Sequence, residues 1–188
     1  MATAQWTVGG IVRRMLPVLV VLTAIELGSG IVLDTFESTL LRYPSLLVLV
    51  PVTIGMAGNL GSILAARLST ALHLGLLSFD AADERLVGNA VATIALALTV
   101  FPLVGAGAWA LQAAIAGARL SLGTIVAVSL TSGVVLAALA VVVTTVTTYA
   151  AYRFGLDPDD LVIPVVTNVC DVLGVLVLFG VVRLLVTG

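Results

Sequence analysis

The sequence predicts an all-α integral membrane protein with five transmembrane helices, on three observations. Hydrophobic residues make up 61% of the 188 residues and charged residues only 10%, where soluble domains carry about 25% charged residues. Mean hydropathy is +1.25. The apolar residues gather in five runs, at roughly 11–33, 44–75, 86–112, 121–150 and 161–186. Each reaches the about 20 residues that a helix needs to cross a hydrocarbon core.

The first run follows Arg13 and Arg14. It is too long for the hydrophobic stretch of a secretory signal, which spans about 7–15 residues. The second runs from Pro44 to Gly75 and holds Pro51, with Gly55, Gly58 and Gly61 after it at three-residue spacing. Proline removes a backbone donor and clashes with the preceding turn. We therefore expect this span to be kinked or broken, with a small-residue face against another backbone. The third and fourth runs are less marked, apart from Thr144, Thr145, Thr147 and Thr148 in the fourth. Those hydroxyls are expected to bond their own i−4 carbonyls. The fifth begins beside Asp157, Asp159 and Asp160, with Pro164 in its first turn.

The connections hold most of the charge: Asp34, Glu37 and Arg42, then Asp80, Asp83, Glu84 and Arg85, then Arg119, then Arg153 and the 157–160 aspartates. Five spans put the termini on opposite sides. Arg13, Arg14, Arg67, Arg85 and Arg153 fall on one side, and Arg42, Arg119 and Arg183 on the other. The positive-inside rule then favours a cytoplasmic N-terminus and an external C-terminus in a cell membrane. The whole chain, 1–188, is expected to be one membrane domain.

Several functions are excluded by composition. All eight basic residues are arginine and the net charge is −2, so no basic patch suits nucleic acid. One cysteine, Cys170, and one histidine, His73, leave no disulfide and no Cys/His metal cluster. No catalytic motif such as GxSxG, HExxH or a P-loop occurs, and the chain is not expected to be an enzyme.

Ionisable residues inside a span are functional candidates by default. Asp171 lies ten residues into the fifth run, at about 15 Å depth. A carboxylate there binds a cation, stays protonated, or pairs with an arginine. Its own span offers only Arg183, about 18 Å away along the helix. Thr167 and Asn168 lie one turn earlier on the same face and its flank. Asn59, between Gly58 and Leu60, offers a carbonyl oxygen to a hard cation, or an interhelical hydrogen bond. Glu26 is a candidate for the outer vestibule. Asp157 and Asp160 either cap the fifth helix or collect cations at the pore mouth. Arg67 is expected to reach the inner interface along its aliphatic stem.

The stretch from Pro51 to Thr70 (PVTIGMAGNLGSILAARLST) resembles the second transmembrane segment of MgtE-type magnesium channels, and within them solute carrier family 41. The stretch from Leu156 to Gly174 (LDPDDLVIPVVTNVCDVLG) resembles the start of that family's fifth segment and its pore aspartate. The resemblance implies a homodimeric Mg²⁺ channel or transporter with a pore on the two-fold axis, lined by the second and fifth helices. It places Asp171 on the central cation-binding aspartate, Thr167 and Ile163 one and two turns before it, and Asn59 on the Gly-Asn motif. Ile163 stands where bacterial members can have a polar residue, so a side-chain contact there is not carried over. Bacterial members also carry cytosolic gating domains, and none is visible in this chain. Two alternatives stay open: an exchanger coupled to Na⁺ or H⁺, and a membrane scaffold that passes no ion. Oxygen ligands alone do not separate Mg²⁺ from Mn²⁺, Co²⁺ or Ca²⁺.

Overall fold

The computed structural model describes residues 7–80, 83–115 and 117–187. Six α-helices follow one another: α1 (Val8–Thr35), α2 (Glu37–Arg42), α3 (Pro44–His73), α4 (Glu84–Ile115), α5 (Leu122–Arg153) and α6 (Pro158–Val182). A π-helical turn over Arg183–Thr187 extends α6. Five stretches are long and apolar enough to cross a membrane: Met15–Thr35, Pro44–His73, Glu84–Ile115, Leu122–Arg153 and Leu161–Thr187. They coincide with the five predicted runs. Helices are the natural form here, because they satisfy backbone polar groups where no water can.

The helix α3 is one unbroken element through Pro51. Of the kinked or broken span expected, the break is therefore corrected. Pro51 is the eighth residue of α3, at the start of the third turn, where one missing donor does not end a helix whose flank packs on α5 and α6. The short helix α2 lies in what the hydropathy shows only as a polar connection. It carries Glu37 in its first turn, Arg42 in its last, and buries Leu40.

The centre of the bundle is formed by α3, α5 and α6, which pack on one another. The helix α4 lies against α3 and α5, and α1 lies against α6. The α1 span is 6% buried against 44% for α3 and α5, so the rest of the chain leaves most of α1 uncovered.

The ends of the helices are capped. Ser121 accepts from the Thr124 N–H at 3.1 Å and starts α5. The Asp83 carboxylate accepts from the N–H groups of Arg85 at 2.9 Å and Leu86 at 3.3 Å, and starts α4. Its other oxygen takes the Ser78 N–H and hydroxyl, each at 2.9 Å. These donors hold the Asp83 carboxyl below its usual range, at about 2. The α5 C-terminus closes at Gly155, whose φ of 64° needs a residue without a Cβ. There the Leu156 N–H reaches the Ala151 carbonyl at 2.9 Å.

Candidate functional site

Small residues let α3 and α6 approach closely. A Cβ built on Gly61 would meet Val166 and Cys170, and one on Gly174 would meet Ile54 at 3.1 Å. Between these two contacts lies Gly58, whose Cβ would sit 3.2 Å from Asp171 Oδ1. The Asp171 carboxylate therefore rests against bare α3 backbone, beside Asn59. Glycine at 58 is what leaves room for it. The sequence singled out the Gly55, Gly58, Gly61 repeat as a packing face but not Gly58 as the seat of this carboxylate. The pairing of α3 with α6 is a long-range contact, and no local pattern announces it.

Asp171 is half-buried in the single chain, and Asn59 is exposed. Among the described residues no arginine pairs with Asp171, and no hydrogen-bond donor reaches it. Glu26, an ionisable residue of the α1 span, is likewise only partly buried in the single chain. Buried charge without a partner is expensive in a membrane, so the arrangement suits a group that receives a cation from outside the chain.

The neighbouring polar groups face the same way chemically. The Thr167 hydroxyl donates to the carbonyls of Ile163 and Pro164, each at 3.0 Å. The Asn168 amide nitrogen donates to the Pro164 carbonyl at 3.1 Å. The Thr167 hydroxyl hydrogen and one N–H of Asn168 are thus turned to the helix itself. Both side chains keep oxygen lone pairs, which can accept hydrogen bonds from a hydrated cation or bind it directly.

The pore-mouth candidates lie elsewhere. Asp157 is exposed, ahead of α6 and about 20 Å from Asp171 along the helix. The side chain of Asp160 lies outside the described residues. Arg67 ends in a cavity at the α3–α4 end of the bundle, with its Nε donating to Asn89 Oδ1. In the fourth span, Thr144 and Thr148 depart from the expected i−4 bonding, the Thr148 hydroxyl being buried without a partner among the described residues; Thr144 reaches another helix. Its hydroxyl crosses to the Gly61 carbonyl on α3 at 3.5 Å, because the small residues bring that backbone within reach.

Residues 50–181 match the family MgtE, described as a divalent cation transporter. The rat protein solute carrier family 41 member 3 is 29% identical over 160 residues, 77% of this chain and 32% of its own length. The chain thus spans about a third of the length of that curated relative.

Proposed function

The chain belongs to the MgtE family of divalent cation transporters, and on that premise we propose that it conducts Mg²⁺ through a pore on a homodimer axis. The observation that carries this reading is the Asp171 carboxylate, seated on Gly58 at the α3–α6 seam without a cationic partner. A two-fold axis beside that seam brings two Asp171 groups together from one position per chain. Mg²⁺ sheds water reluctantly and is held by one or two carboxylates together with its remaining waters. Two Asp171 groups meet that need. Asn59, exposed in the single chain, supplies carbonyl oxygens one layer along. Thr167 and Asn168 accept hydrogen bonds from the ion's water. With a cytoplasmic N-terminus, the membrane potential pulls a divalent ion inward by about 4.6 kcal/mol per 100 mV, twice the single-charge value.

A second reading is exchange against H⁺ or Na⁺, in which the Asp171 carboxyl, without a cationic partner among the described residues, takes up the counter-ion in turn. The two readings separate by whether Mg²⁺ flux needs a counter-ion gradient.

The test is Mg²⁺ flux into liposomes with wild type and Asp171→Asn, which deletes the charge and keeps the shape. Loss of flux in a variant with unchanged helical content and oligomeric state is expected. Unchanged flux would remove Asp171 from the pathway.

A further inference from the structure

We propose that the cavity between the end of α3 and the start of α4 binds the phosphate of an anionic phospholipid headgroup. The cavity has a volume of about 520 Å³ and is lined by Arg67 and Thr70 of α3, Leu76 of the connection, and Arg85 and Asn89 of α4, among other residues. Among the described residues no carboxylate lines it. Both guanidinium groups are held in place by one hydrogen bond each. Arg67 Nε donates to Asn89 Oδ1, and Arg85 Nη1 donates to the Leu76 carbonyl at 3.1 Å. Their other N–H groups are free to donate, and guanidinium forks match phosphate geometry. Asn89 is itself fixed, its amide nitrogen donating to the Arg85 carbonyl at 2.8 Å. Two arginines thus line one cavity with the same sign of charge, which favours an anion there.

The surroundings favour a lipid over a free anion. The cavity lies at the membrane-interface end of the bundle, where Phe79, Tyr149 and Tyr152 form an aromatic cluster. Aromatic side chains of this kind mark headgroup depth. One turn deeper than Arg67 on α3 stands Ile63, 53% exposed, and two turns deeper than Asn89 on α4 stands Leu96, 45% exposed. A headgroup held at the arginines would lay its acyl chains along these side chains. The arginine count assigns this end to the cytoplasmic leaflet, where basic pockets between spans bind anionic headgroups.

The experiment is native mass spectrometry of the purified chain, titrated with phosphatidylglycerol or phosphatidylcholine. Phosphatidylglycerol should bind the wild type more tightly than phosphatidylcholine. Arg67→Gln and Arg85→Gln should each weaken it about fivefold, near the worth of one arginine beside an anionic surface. Arg153→Gln, at the same end but outside the cavity, should leave it unchanged. Should a glutamine variant unfold, Arg67→Lys keeps the charge and should retain the phosphatidylglycerol preference, and the neutral Leu96→Asn weakens lipid binding through the acyl track. Equal phosphatidylglycerol affinity in wild type, Arg85→Gln and Leu96→Asn would overturn the proposal. So would competition by inorganic phosphate at the concentrations where the lipid binds, which would mark a small-anion site.

Discussion

Two helix seams in this bundle use the same device and end with different contents. Along α4–α5, a Cβ on Gly105 would lie 2.9 Å from Val126 Cα, and one on Gly133 would fall inside the Phe101 ring. The hollow at Gly133 is filled by that ring, and the Ser129 hydroxyl ties the helices by donating to the Phe101 carbonyl at 2.7 Å. Phe101 and Ser129 are both 0% exposed. Along α3–α6, the hollow at Gly58 is filled by the Asp171 carboxylate instead, and that group remains half-exposed. Close approach through glycine fixes both seams. What occupies the hollow separates a scaffold contact from a candidate ion site.

The comparison can be broken at the scaffold seam first. Gly133→Ala must place a methyl where Phe101 sits, and overpacking of this kind costs about 1–3 kcal/mol. A lower thermal midpoint in detergent is expected, with cation preference unchanged in the protein that remains folded. An unshifted midpoint would show that α4–α5 is not tightly packed there.

At the other seam the same substitution should act on function. Gly58→Ala pushes on a carboxylate oxygen 3.2 Å away, while alanine regains up to about 1 kcal/mol of helix propensity. Stability should hold or rise, and Mg²⁺ affinity should fall by about tenfold as Asp171 is displaced. Isothermal titration on the purified chain reads the affinity. Equal affinity in both proteins would detach the carboxylate's seat from binding. A smaller loss, of a few-fold, is expected for Thr167→Val, which removes one accepting oxygen worth about 1 kcal/mol and keeps the side-chain volume.

How much of this was legible beforehand follows from the range of each interaction. The five spans were readable because burial in lipid acts on composition, which every stretch of sequence displays. Asp171 was readable because a charge inside an apolar run is conspicuous wherever it folds. The six-residue α2 was not, since Glu37 and Arg42 look like any polar connection until Leu40 is seen to be buried. Neither the Gly58 seat nor the Arg67–Arg85 cavity could be read, because each joins two helices whose pairing depends on the whole bundle. The continuity of α3 through Pro51 was likewise decided by packing, against the local preference of proline.

The smallest expected effect lies outside both seams, at the α4 cap. Asp83 has a folded-state pKa of about 2, lowered by the donors of Ser78, Arg85 and Leu86. A depressed carboxyl stabilises above its unfolded value, near 3.9, and loses that contribution as pH falls through the folded value. Hydrogen exchange at the Ser78 amide should therefore be slowed in wild type relative to Asp83→Ala above about pH 4. The difference should vanish as the pH approaches 2. A difference independent of pH over that window would mean that the cap does not depend on the carboxylate charge.

If Asp171 supplies one ion site shared by two chains, the stoichiometry of bound Mg²⁺ reads it out. Equilibrium dialysis at saturating ion and known oligomeric state should count one tightly bound ion per two chains in the wild type and none in Asp171→Asn. One ion per chain, retained in Asp171→Asn, would contradict the shared site.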